Sequence, residues 1–275
     1  MWHPDKWPLR RSPTYLLRLG QAFVQLWRAN GRGWEQIDSQ AVHHLAHDQY
    51  QALADLLPSI TQELPQGAQV QVLADSKWMP VSLLLTGSKP LSKGQLDVLA
   101  KHRFAQIFGE QANGWSIRTT YVAGDAKAMA FACPIGLLTS LRHGIEAEQT
   151  DRPGKHRLNG LAPTLSWAWD QVGQSGAGKA GAGKAGTWFV LAEQDRSILV
   201  CASKGQIQGL QPAGPTLQNP SHLDKVLSTE ALRCGLLDEQ YSVRGASFEP
   251  MPEMMPESPS DAFRWQVLLA QESIK

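Results

Sequence analysis

Two lysines set in a run of small residues are the first candidates for chemistry. Gly173 to Thr187 reads GQSGAGKAGAGKAGT and holds two tandem near-copies of the phosphate-binding pattern G-x-x-x-x-G-K-[ST], ending at Gly178-Lys179-Ala180 and Gly183-Lys184-Ala185. Such a loop needs a strand feeding it, backbone N–H groups converging on the anion, and a helix N-terminus directly behind. Here the helix-like PTLSWAWDQ lies upstream and the strand-like TWFVLAE downstream, so the order is inverted. Ala180 and Ala185 also stand where a hydroxyl should reach magnesium. Small residues without apolar anchors make a flexible linker, and that is the expectation for 173–187.

Other chemistry-bearing residues are scattered. His43 and His47 are spaced as helical metal ligands would be, with His44 between them, but no third ligand and no H-E-x-x-H glutamate accompany them. A solvated helix start is the plainer reading. Cys133 precedes Pro134 at a strand-to-helix junction, where a helix N-terminus would activate a thiol; a core thiol is the competing reading. No G-x-S-x-G elbow is present. Asp48, Asp55 and Glu63 fall on a polar helix face, as solvated charge does.

The elements that must position any site begin with three strands, TYLLRLG, AFVQLWRA and GWEQIDSQAV, joined by turns at Gly20-Gln21 and Asn30 to Gly33. Residues 44–64 have helical apolar spacing, with a kink or break expected at Pro58. AQVQVLAD and MPVSLLLT return to strand. Ser92 and Gln95 make a capping box for a helix reaching Phe108, with Leu96, Leu99, Ala100, Phe104 and Ile107 as its apolar stripe. WSIRTTYVAG and AMAFACP are strand-like, Pro134 opens the helical PIGLLTSLRHGIEAE, and a polar loop over 149–160 leads to the helix-like LAPTLSWAWDQ. A second three-strand meander follows as TWFVLAEQ, SILVCASK and QIQGLQPA. A helix at 221–235, with Ser221 and Asp224 able to cap its first turn, precedes the strand QYSVRGASFE. The proline-rich tail ends in DAFRWQVLLAQESIK, read as a short final helix.

Composition narrows the classes. A chain of 275 residues with 42% hydrophobic residues buries a substantial core. Twenty-six basic residues against twenty-five acidic ones, without a basic block, argue against nucleic acid as a partner. Three distant cysteines read as buried thiols of a reducing compartment. No run of eighteen apolar residues occurs, so a membrane span is not expected and the cytoplasm is the expected location.

With that order of elements the chain resembles the actin-like ATPase fold, and within it the PilM-like and GspL-like cytoplasmic platform proteins of type IV pilus and type II secretion systems. The resemblance rests on the layout of residues 14 to 249: YLLRLGQAFVQLW as the opening hairpin, SIRTTYVAGDAKAMAFACPIGLLTSLRHGI as strand pair and helix, and TWFVLAEQDRSILVCASKGQIQGLQ as the second hairpin. It implies an α/β, ribonuclease H-like duplicated fold whose halves each open with a three-strand meander. The expected division is a first half over 14–172, the linker 173–187, a smaller second half over 188–249 and a tail over 250–275.

In that family each hairpin bears a D-x-G loop for phosphate and metal. Arg18-Leu19-Gly20 stands where the first loop belongs, so the glycine is kept and a cation replaces the acid. A guanidinium has no lone pair to give magnesium. The second hairpin has Glu193 and Asp195 without the required glycine. The leading expectation is therefore a non-catalytic cytoplasmic scaffold with protein partners, no cofactor and no catalytic or metal residues. The alternative is an ATP- and magnesium-binding ATPase of the same fold, with Gly20 and Gln21 at the nucleotide; a third reading is an unrelated α/β enzyme.

Ten tryptophans are present, of which Trp2, Trp7 and Trp265 lie in the terminal arms. Phe263, Trp265, Leu268 and Leu269 would present an apolar strip to a partner groove, or the arms would fold back on their own domain.

Overall fold

A computed structural model describes residues 15–30, 34–42, 48–87, 89–120, 125–146, 156–173, 186–193, 196–203, 206–213, 220–235, 241–248 and 263–267. His43, His44, His47, residues 174–185 of the expected linker, Trp2, Trp7, Asp195, Leu268 and Leu269 lie outside the described residues, as do the side chains of Ser221, Asp224, Phe263 and Trp265.

Alternation builds the first sheet. Strands β1 (Tyr15–Leu19), β2 (Phe23–Ala29) and β3 (Trp34–Ala41) form the expected antiparallel meander. Strand β4 (Gln69–Ala74) then pairs parallel to β1, which gives the order β3-β2-β1-β4-β8 once β8 (Arg157–Pro163) is added parallel to β4. Leu17, Leu19, Val70, Val72 and Ala74 point to one face. There they meet Leu53, Leu57 and Ile60 of α1 (Gln49–Thr61) and Leu137, Leu141 and Ile145 of α3 (Ile135–Glu146).

The second half repeats the plan. Strands β9 (Gly186–Ala192), β10 (Ser197–Ser203) and β11 (Gln206–Ala213) make the second meander, and β12 (Tyr241–Ser247) and β13 (Phe263–Val267) add in parallel to give β11-β10-β9-β12-β13. Helix α5 (Pro220–Cys234) covers Trp188, Val190, Leu199 and Cys201 on one face. The other face gives Phe189, Leu191, Ile198, Val200 and Ala246 to one cluster with Leu16, Trp27 and Leu73 of the first sheet. The fully buried helix α4 (Thr164–Ala168) and the π-turn after it put Leu165, Trp167 and Trp169 into this shared cluster.

Between β4 and α3 the chain inserts a third sheet, β5-β7-β6, from β5 (Val81–Leu85), β6 (Ser116–Thr120) and β7 (Lys127–Cys133). Helix α2 (Lys93–Phe108) begins on the expected capping box, with both reciprocal bonds between Ser92 and Gln95 made. Ala100 and Phe104 of α2 cover Ala128, Ala130 and Ala132, while Met129 and Phe131 join the shared cluster.

Three expectations are corrected. Of the kink or break expected at Pro58, the break does not occur, because Pro58 lies inside continuous α1. The lost backbone bond is outweighed by the buried stripe Leu53, Leu57 and Ile60 packed on α3. Residues 157–163, read as loop and helix start, are strand β8. Among the described residues this strand pairs on one side only, so glycine and proline are tolerated and the usual branched pattern is missing. The tail read as a final helix contains β13, since pairing with β12 overrides the weak helical spacing. Deleting 250–275 would therefore remove a sheet strand.

Helices α1 and α3 approach closely because Gly144 has no side chain: a Cβ there would lie 2.6 Å from Leu57 Cβ. Gly144→Ala gains about 1 kcal/mol of helix propensity but overpacks a filled site. Urea unfolding should show Gly144→Ala less stable than the parent by roughly 1–2 kcal/mol. Gly94→Ala in α2, where a Cβ meets nothing within 4 Å, should be neutral or stabilising. Equal gains in both would contradict the close packing.

Candidate functional site

The ends of β1, β4 and β9 converge where the halves meet. Leu17 and Leu19 point to α1 and α3, so alternation turns Arg18 toward the second half. Its side chain is 4% exposed and bonds the 0% exposed Asp75 through Nη2 and Oδ2 at 3.1 Å. Asp75 follows β4 directly, and its N–H continues the parallel ladder to Leu19 O at 3.0 Å. Thr164 Oγ1, at the start of α4, donates to Asp75 Oδ1 at 2.7 Å. Arg18 Nη1 donates to Gln25 Oε1 at 3.1 Å, and the guanidinium lies 4.0 Å from the ring centroid of Phe248, just beyond β12. Phe248 stacks on Trp167. One cation thus holds a carboxylate of its own half and a ring of the other.

A second bridge crosses from β9. Glu193 is 1% exposed. Its Oε1 accepts from Ser76 N–H at 2.9 Å and its Oε2 bonds Ser76 Oγ. Burial, then the negative charge of Asp75, push the Glu193 carboxyl up to about 8, with the Ser76 bonds acting the other way. That shift favours the protonated acid, which offers Ser76 Oγ a hydrogen as well as an acceptor.

Gly20 and Gln21 sit in the β1–β2 turn beside this network. Gly20 N–H donates to Phe23 O at 2.9 Å. Trp78 Nε1 donates to Gly20 O at 2.8 Å, and Lys77 Nζ to Gln21 O at 3.3 Å. A Cβ on Gly20 would lie 3.1 Å from Phe23 O. The glycine therefore serves a tight turn, and its N–H is spent inside the hairpin rather than aimed at an anion.

Magnesium does not fit these residues. Both Asp75 oxygens are committed to Arg18 and Thr164, both Glu193 oxygens to Ser76, and the cation at position 18 would oppose a metal. Among the described residues no three His, Cys, Asp or Glu side chains group as metal ligands. Cys133 reads as the core thiol: burial pushes it up to about 11, with Arg118 opposing weakly, so the start of α3 does not activate it. Asp48 caps α1 by accepting from Tyr50 N and Gln51 N.

Sequence reading singled out Arg18, Gly20 and Glu193 but missed Asp75, Ser76, Thr164 and Phe248. An acid placed directly after the apolar run VQVLA was the available signal for Asp75. Nothing local announces Ser76, Thr164 or Phe248, which matter through partners far along the chain.

No protein-family model matches the sequence, and no curated protein sequence matches it. Solved structures do. A protein of Bacteroides thetaiotaomicron with an actin-like ATPase fold and unknown function aligns over 95% of this chain and 94% of its own, with 11% identity and a TM-score of 0.55. The PilM–PilN type IV pilus biogenesis complex aligns over 93% and 88%, with 8% identity and a TM-score of 0.58. The cytoplasmic domain of EpsL, an inner-membrane component of the Vibrio cholerae type II secretion system, aligns over 93% and 90%, with 14% identity and a TM-score of 0.48. The chain has the actin-like fold, an α/β duplication in which each half opens with a three-strand meander. Among the described residues no helix is long and apolar enough to cross a membrane.

Because the folded state raises the Glu193 carboxyl from 4.5 to about 8, the unfolded chain loses this proton first as pH rises. The stabilisation is full below the ordinary carboxylate range and is lost as pH climbs through about 8. Thermal unfolding should show the parent losing roughly 2–4 kcal/mol relative to Glu193→Gln between pH 5 and pH 9. The amide keeps the Ser76 bonds and does not titrate. Parallel pH profiles would contradict the assignment.

Proposed function

We propose that this chain is a non-catalytic actin-like scaffold that binds protein partners in the cytoplasm, within a pilus or secretion assembly. The observation that carries the reading is the Arg18–Asp75 pair, which fills with internal charge the place where this fold's D-x-G acid would hold metal. A site whose carboxylate oxygens are all bonded within the protein supports association better than turnover. The structural likeness to PilM–PilN, a complex of two proteins, supports a protein partner.

The C-terminal segment is the proposed docking strip. Phe263 and Trp265 lie in β13, at the end of the second sheet's strand order, and Leu268 and Leu269 follow it in sequence. The linker role expected for 173–187 belongs to the same proposal, narrowed to the stretch between the π-turn ending at Gly173 and β9, which takes Gly186 and Thr187.

Millimolar ATP with magnesium should leave the melting temperature unchanged. A ligand at a hundredfold excess over its Kd would add about 2.7 kcal/mol, a shift of about 5 °C or more. A magnesium-dependent shift of that size would overturn the non-catalytic reading. Cross-linking in the native cell should join the chain to a pilus or secretion component, and Leu268→Ser with Leu269→Ser should weaken that cross-link without lowering the melting temperature. Unchanged cross-linking in that variant would reject the docking strip.

A further inference from the structure

Helix α5 carries Leu223, Leu227, Ala231 and Cys234 on one stripe, spaced four, four and three residues apart. The first three are buried against Trp188, Val190, Leu199, Cys201 and Val243. Cys234 ends the stripe as the last residue of the helix, half-buried, with Gly235 behind it at φ 68°. Beneath it, buried Cys201 of β10 stands directly opposite Gly209 of β11. A Cβ on Gly209 would lie 2.9 Å from Cys234 Sγ and 3.7 Å from Cys201 Cβ. The missing side chain is thus the space in which the Cys234 thiol rests, directly beside the strand position that carries Cys201. Cys234 Sγ also donates to Gln208 O at 3.7 Å, the carbonyl that Lys127 Nζ holds from β7.

We propose that Cys201 and Cys234 are a redox pair, joined in a reversible intramolecular disulfide by exchange with a small-molecule disulfide of the glutathione type. The half-buried Cys234 is the entry point. Its thiolate attacks one sulfur of oxidised glutathione, a protein–glutathione disulfide forms, and one glutathione thiolate leaves. The Cys201 thiolate then attacks Cys234 Sγ and expels the second glutathione. The two protein thiols give up two electrons and two protons in total; glutathione disulfide takes the electrons, and its two thiolates take the protons. Burial holds the Cys234 thiol above its ordinary value, while Lys127 pulls it down, Glu230 raises it and Cys201 lowers it, so exchange quickens as pH rises. The bridge pins the end of α5 to β10 and shortens the free loop of the unfolded chain, which raises the melting temperature. Cys133, in the first half and raised to about 11 by burial, is the internal control.

The full chain is incubated with oxidised glutathione at mildly alkaline pH, alkylated in denaturant and mapped by peptide mass spectrometry. The expected product is a Cys201–Cys234 linked peptide with Cys133 alkylated, and a melting temperature that rises and returns on reduction. Glutathione retained on Cys234 beside an alkylated Cys201, or all three cysteines alkylated, would overturn the pair. Cys201→Ser should trap glutathione on Cys234; a variant that takes up none would overturn the entry step.

Discussion

The structure depends on a buried charge that has to be answered. Arg18 is placed by strand alternation on the face that meets the second half, where water is excluded and an unpaired guanidinium would cost several kcal/mol. Asp75 answers it from the neighbouring parallel strand. The rest of the junction then follows: the second Asp75 oxygen takes the Thr164 hydroxyl, and the guanidinium face takes the Phe248 ring. Residues from β1, β4, α4 and the end of β12 are tied by one pair of opposite charges.

That pairing sets what the neighbouring carboxyl can be. Glu193 lies close to Asp75, and its burial together with that negative charge favours the protonated acid, against the Ser76 bonds and Arg196. The neutral acid matches Ser76 and spans the halves without adding charge. An apolar cluster drawn from both five-stranded sheets, the inserted sheet and α4 lies beside this polar network and supplies the non-directional part of the association. Polar bonds fix how the halves meet, and apolar burial supplies much of the driving force.

The meanders were legible because short alternating strands separated by turn residues have few other readings, and α2 because its capping box and stripe agree. The site was half legible. Arg18 stood out because a cation occupied an acid's place in a recognisable hairpin, whereas its partners are determined by sheet order, which no local pattern carries. Strands β8 and β13 were hidden for a related reason. Both take their structure from pairing with a neighbour rather than from their own residues, one holding a single glycine and ending in proline and the other short with two aromatic residues.

A double-mutant cycle on Arg18→Met and Asp75→Asn, followed by urea unfolding at neutral pH, tests the central claim most directly. Each single change should cost about 3–5 kcal/mol, since it strands the other group in the interior. The double variant should cost less than the sum of the singles, with a coupling of about 2 kcal/mol or more. Strictly additive costs would show that the two residues do not depend on one another and would contradict the account.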